Sequence, residues 1–414
     1  MYMSFFPKSF FDNIIFPQYK MKRLFLRTFN KAPERNGFRF SWLMLSRTGR
    51  LMVLFGSLLL CVYLLNEAGN AYPKEQSYIS LRAWNRTTSP LMHGKHTCIF
   101  RDVPPMAAEE WQLRAPYFVI MGVQKSGTKS LESYLMSHPD IYGPSTNTPS
   151  THFFDRRFGR YTTEEGVLVK EAREKYSKEM FKPIYEASVE GKVQYYGMDS
   201  TPAYVFYSDR VPSRLFCVAP WVKLILLLRN PVDRAYSQYI MQKVERSKGF
   251  LDGKSFEHYV EEDMSKLKAA GAIREWKDED DFRSFSGSQE EMIAWETYVD
   301  SVDSHVDKRY IGRGLYALQL RHWFNAMDTF GKPRSDLLVV HSDDMKDNTG
   351  QVYRKILKFL GIREVELTNF SIRHQGQYDA PLSSEMRSRL EAFYEPYNRQ
   401  LYDMLGSEWE GVWG

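Results

Sequence analysis

Four short runs, each breaking into a polar loop, constrain this chain more than any other feature. Residues 117–123 (YFVIMGV), 222–228 (VKLILLL) and 337–341 (LLVVH) are too short for amphipathic helices and too continuously apolar for strands with one wet face; residues 193–198 add a further strand. Helical spacing follows. Leu131, Tyr134 and Leu135 supply it after the first run, residues 232–245 after the third, and Val352, Ile356, Phe359 and Leu360 after the fourth. Strands alternating with helices predict an α/β fold, a P-loop-like parallel sheet flanked by helices. Ligands of such sheets bind beyond the carboxyl ends of the strands, so the loops starting at Gln124, Asp199, Arg229 and Ser342 are the places to search. Hydrophobic residues at 43% and aromatics at 15% supply the core and exclude a mainly disordered chain.

Around that sheet, residues 243–307 read as a charged helical insertion, with the Lys277–Asp281 run on a solvated face. Leu315, Leu318, Trp323, Phe324 and Met327 form an apolar stripe assigned to the core. Residues 383–405 read as a helix with Leu390, Phe393, Tyr394, Tyr397 and Leu401 on one side.

The first loop, Gly122-Val-Gln-Lys125-Ser126-Gly127-Thr128-Lys129-Ser130, opens a helix. Backbone N–H groups and the positive helix end gather there around an anion, and glycines let the backbone approach it. It nearly spells a nucleotide-triphosphate P-loop, but Thr128 holds the required lysine position and the cation moves inward to Lys125. There it can reach the bridging oxygen of a phosphate–sulfate anhydride. The third run ends in Arg229 rather than the acid that helps hold Mg²⁺ in a P-loop kinase. In Arg229-Asn230-Pro231-Val232-Asp233-Arg234-Ala235-Tyr236-Ser237, Asn230 can cap the helix and Pro231 suits its first position. Arg229 is left over; with Ser237 it makes a second anion site. Two sites suit a nucleotide with phosphate at both its 5′ and 3′ positions.

These two motifs resemble the sulfotransferases, specifically the Golgi carbohydrate O-sulfotransferases acting on heparan- and chondroitin-type chains, over roughly residues 115–406. VQKSGTKSL is similar to the family's 5′-phosphosulfate loop and LLLRNPVDRAYSQY to its 3′-phosphate motif. The resemblance implies 3′-phosphoadenosine 5′-phosphosulfate (PAPS) as donor, with Lys125, Ser126, Gly127, Thr128, Lys129 and Ser130 on its 5′ end, Arg229 and Ser237 on its 3′-phosphate, and no metal. The segment from Thr151 to Gly159 resembles the acceptor side, nearest the chondroitin 4-sulfate 6-O-sulfotransferase branch, and Met198 to Tyr204 resembles a second substrate loop. Gln375, Gly376, Gln377 and Tyr378 stand where the family has a Lys-Gly loop over the nucleotide. Pro149 and Ser150 replace the family's Lys-Glu, whose Glu is the general base; Ser200 and Gln375 replace two further lysines.

The acceptor hydroxyl must lose a proton to a side chain within hydrogen-bond reach. His152 is the first candidate, since imidazole titrates near neutral pH and borders the vacated Glu position; Asp199 is second and Asp155 third. A packed histidine beside Phe153 and Phe154 is the plainer reading of His152. Asp155, Arg156 and Arg157, with Arg160, are candidates for contact with an anionic glycan, a role that surface arginines also fill for solubility alone.

Net charge is +5, but residues 1–50 hold ten Lys or Arg against Asp12 and Glu34, so the remainder is slightly negative and no nucleic acid is an expected partner. The tail precedes an uncharged run, residues 51–65 (LMVLFGSLLLCVYLL). Fifty residues before that run are too many for an ordinary secretory leader. The expected layout is a cytoplasmic tail (1–50), a signal anchor (51–66), a stem (67–110) and a lumenal sulfotransferase domain (111–414), hence a single-pass type II Golgi membrane glycoprotein. Asn85 and Asn369 lie in acceptor sequons. Cys98 and Cys217 could pair in an oxidising lumen, or Cys217 could be a buried thiol. A P-loop nucleotide kinase, or a relative that binds nucleotide and glycan without catalysis, are the alternatives.

Overall fold

The computed structural model describes Cys98, Ile99 and residues 115–413, apart from 147, 190–194, 246–250, 252, 302–307 and 368–380. The expected anchor, most of the stem, both sequons and Gln375, Gly376, Gln377 and Tyr378 fall outside the described residues. No helix among the described residues is long and apolar enough to cross a membrane.

Among the described residues there are seven strands: β1 (Cys98–Ile99), β2 (Phe118–Gly122), β3 (Ile141–Tyr142), β4 (Val167–Leu168), β5 (Tyr196–Ser200), β6 (Lys223–Leu228) and β7 (Leu337–His341). Five of them form a parallel sheet in the order β3-β5-β2-β6-β7, and β1 pairs with β4. The continuous apolar runs have a simple cause, since both faces of the sheet are covered. Val119, Met121, Leu224, Leu226 and Leu228 enter one core; Phe118, Ile120, Ile225 and Leu227 alternate with them and enter a second with Leu131, Leu135, Ile356 and Leu360. The helices Thr128–Met136, Pro231–Glu245, Thr349–Leu360 and Ser384–Leu405 match the periodicity. Leu315, Leu318, Trp323 and Met327 are buried as expected, while Phe324 is half-buried beneath the Arg334 guanidinium, 3.9 Å from its ring centre. Within the insertion, Asp278 caps the helix Glu279–Phe285 by accepting from the Asp281 N–H.

Two expectations need correction. The second strand runs to Ser200, not Met198, because Ile120 pairs with Ser200 and the Ser200 N–H donates to the Pro149 carbonyl at 2.9 Å. No loop follows β7, since a helix, Ser342–Asp347, begins at once. Cys98 and Ile99 pair with β4, and Cys98 is disulfide-bonded to Cys217. That bond closes the alternative of a buried free thiol.

Candidate active site

The carboxyl ends of β2 and β6 place the two expected anion loops side by side. β2 ends at Gly122, where any Cβ would lie 2.3 Å from a methyl of Val205, so only glycine lets the loop leave the strand here. Lys125 (φ 75°) and Gly127 (φ 92°) are left-handed, folding the loop back on itself before the helix Thr128–Met136 starts. A Cβ on Gly127 would meet nothing within 4 Å, so the crest of the loop faces open space rather than protein. In the first turn, the Ser130 and Leu131 N–H groups both donate to the Gly127 carbonyl, at 3.0 and 3.1 Å, so Thr128 and Lys129 are the residues whose N–H groups the helix leaves for an anion. Ser126 is buried and donates to the Val123 carbonyl at 2.6 Å, so it shapes the loop from within. Lys129 is engaged by both carboxylate oxygens of Glu132 at 3.1 Å, which offsets much of its charge as a donor contact.

In the second loop, the Asn230 side chain caps the helix Pro231–Glu245 by accepting from Val232 and Asp233 N–H, and Ser237 is buried one turn further along. Arg229 Nη1 donates to the Lys125 carbonyl at 2.9 Å, and the Arg229 carbonyl accepts from Tyr316 Oη at 2.9 Å. The two loops are therefore one unit. Arg234 does not face the loop; it is fully buried, donating to Gln238 and to the Tyr310 carbonyl, and burial lowers its pKa from the ordinary arginine value.

On the other side of β2, at the carboxyl end of β5, stands the expected acceptor segment. His152 (φ 47°) precedes the short helix Phe153–Arg156, and its Nδ1 lies 2.9 Å from Asp155 Oδ2. The Asp155 side chain is wholly buried, with Arg156 Nε 3.6 Å from the same oxygen, whereas the His152 ring keeps 26% of its surface exposed. A buried carboxylate on Nδ1 fixes the tautomer that leaves Nε2 as the accepting nitrogen. Arg156 and Arg157 are exposed beside it.

Asp199 has a different part from the one expected. It is completely buried, accepting from Thr151 Oγ1 (2.7 Å), Tyr176 Oη (2.6 Å) and Tyr204 Oη (3.1 Å) on one oxygen and from Thr201 Oγ1 (2.6 Å) on the other. Burial raises its pKa and these hydrogen bonds oppose the rise. A carboxylate with no open face and occupied oxygens cannot take a proton from an acceptor; it anchors Thr151, the residue before His152. Tyr204 Oη also accepts from the Phe153 N–H at 3.1 Å, so one cluster sets the backbone on both sides of the imidazole. Asp199→Ala is expected to lower stability by about 3–5 kcal/mol, because several buried hydroxyls lose their acceptor together, with thermal melts as the check. A loss under about 1 kcal/mol would show that the cluster does not hold this segment.

Sequence reasoning missed Tyr176, which sits on a π-helical turn (Glu174–Glu179); Ser342, named as the start of a loop to search, had no assigned role, and its Oγ donates to the Ser126 carbonyl at 3.0 Å. Tyr204 was legible as part of Met198–Tyr204 but had no assigned role. Among the described residues, no group of three or more His, Cys, Asp or Glu is placed to hold a metal ion.

The family described as the sulfotransferase domain matches residues 115–375, more than half of the chain and both loops. The chain belongs to the sulfotransferase family. Of its curated relatives, the membrane-associated sulfotransferase kil1 of Dictyostelium discoideum is 24% identical over 345 residues, a match covering 71% of this sulfotransferase and 66% of that protein. Heparan sulfate glucosamine 3-O-sulfotransferase 6 of Homo sapiens is 25% identical over 334 residues, covering 75% and 77%. A solved sulfotransferase from Alicyclobacillus acidocaldarius aligns at 25% identity with a TM-score of 0.43, over 71% of this sulfotransferase and 98% of that chain.

Proposed function

We propose that this sulfotransferase moves a sulfuryl group from PAPS to a carbohydrate hydroxyl in the Golgi lumen. The observation that carries the donor reading is the Arg229–Lys125 hydrogen bond, which locks two anion loops into one receptor. The open space over Gly127 fits the 5′-phosphosulfate, with Lys125, Ser126, Thr128 and Ser130 around it; Arg229 and Ser237 fit the 3′-phosphate. Gln375, Gly376, Gln377 and Tyr378 are assigned to the nucleotide by the resemblance alone. When bound, PAPS supplies the sulfuryl group and a phosphate leaving group. Lys125 neutralises charge on that phosphate, and His152, oriented by Asp155, takes the acceptor proton at Nε2. Arg156 and Arg157 bind anionic groups of the acceptor. No step in this scheme needs a metal.

Heparan-type chains are the first acceptors to try, given the names of the relatives, with chondroitin-type chains second. The Cys98–Cys217 bond supports an oxidising compartment, and the basic tail and apolar run support a type II anchor with glycans on Asn85 and Asn369. The purified full-length chain, given PAPS with labelled sulfate, is expected to label at least one member of a panel of desulfated polysaccharides. Binding of adenosine 3′,5′-bisphosphate without transfer to any of them would instead indicate the binding-only alternative. Magnesium-dependent ATP turnover in its place would indicate the kinase.

A further inference from the structure

The end of the described chain returns to the donor loops. Trp413 Nε1 donates to His341 Nε2 at 2.8 Å, and His341 is the last residue of β7, directly before the Ser342 that holds the Ser126 carbonyl. The Trp413 backbone N–H donates to Tyr402 Oη at 3.1 Å, tying the tail to the helix Ser384–Leu405. The half-buried Trp413 ring lies 5.7 Å from Tyr316, whose hydroxyl donates to the Arg229 carbonyl, and 5.8 Å from the His341 ring. A ring of contacts thus runs from Lys125 and Ser126 through Ser342, His341, Trp413 and Tyr316 to Arg229, and back to Lys125. It encloses the carboxyl ends of β2, β6 and β7.

We infer that Trp413, seated on His341, is the aromatic wall against which the nucleobase of the donor lies. The inference rests on the donor reading above. A base whose ribose carries phosphates on both loops must sit within a sugar's length of each; of the aromatic rings packed together here, Tyr316 and Trp409 are buried while His341, Tyr402 and Trp413 keep exposed surface, and Trp413 is the largest of these. A purine on an indole gains dispersion and quadrupole energy without needing a hydrogen-bond code. His341 supplies the acceptor for the indole N–H, so the ring is oriented before any ligand arrives.

Calorimetry with two ligands on the full-length chain tests this: adenosine 3′,5′-bisphosphate, and ribose 3,5-bisphosphate, which keeps both phosphates and lacks the base. Trp413→Leu is expected to weaken the nucleotide by about tenfold or more while leaving the base-free ligand within about twofold; Trp413→Phe, which keeps a π-face, should bind the nucleotide within about threefold of wild type. Because both ligands are measured on one preparation, a partial loss of fold cannot imitate a change in their ratio. An unchanged nucleotide affinity in Trp413→Leu, or equal weakening of both ligands, would overturn the inference by reducing the tail to a structural strap. A wild type that binds neither ligand would instead remove the donor reading, and the wall with it.

Discussion

Lys125→Ala is expected to lower kcat/KM by about 10³-fold or more, with the affinity for adenosine 3′,5′-bisphosphate falling by no more than about tenfold. The split follows from when each contact matters. In the proposed scheme the helix N–H groups and Arg229 hold the product nucleotide and remain in the variant, whereas Lys125 is the cation assigned to the charge that develops on the departing phosphate. The backbone gives this substitution an unusually clean reading. Residue 125 sits at φ 75°, a conformation as strained for alanine as for lysine, and it is the Lys125 carbonyl, not its side chain, that Arg229 holds. Loop geometry therefore survives and the loss reports the ammonium. Lys125→Arg should recover only part of the rate, because a planar guanidinium cannot place a point charge where the lysine does. Transfer within about fivefold of wild type in Lys125→Ala would remove this residue from the chemistry.

How much of this was written in the sequence depends on the range of the interactions involved. The β2 and β6 units were legible because hydrophobic run, glycine, cap and helix follow one another along the chain, and local order is what sequence patterns encode. The role of Asp199 was not. Its position at the end of a strand suggested a catalytic carboxylate, but the hydroxyls that enclose it come from residues 151, 176, 201 and 204, and the Tyr176 donor lies on a π-helical turn with no pattern of its own. Strand β1 was hidden for a related reason: two residues carry no periodicity, and their partner Val167–Leu168 lies far along the chain. Trp413 was equally silent, since only the packing of the last helix brings it to β7. The disulfide stood as an open alternative because a cysteine in an apolar helix is an ordinary core residue until its partner's position is known.

His152→Ala should lower kcat by about 10²–10⁴-fold, with donor and product affinity unchanged. The Asp155 contact makes the expectation specific. The imidazole is held at Nδ1 by a carboxylate from which solvent is excluded, and its ring remains partly exposed, the arrangement of a base presented to a ligand and not of a histidine packed among Phe153 and Phe154. Two measurements separate these readings. Asp155→Asn should keep the imidazole but release its orientation, so kcat drops by about 10–10²-fold while the acceptor KM moves little. Adding free imidazole should restore part of the rate to His152→Ala and none to Lys125→Ala. A fully active His152→Ala beside an inactive Lys125→Ala would leave the sulfotransferase standing and move the proton acceptor elsewhere, with the acceptor glycan's own anionic groups the next place to look, because Asp199 has no oxygen to offer.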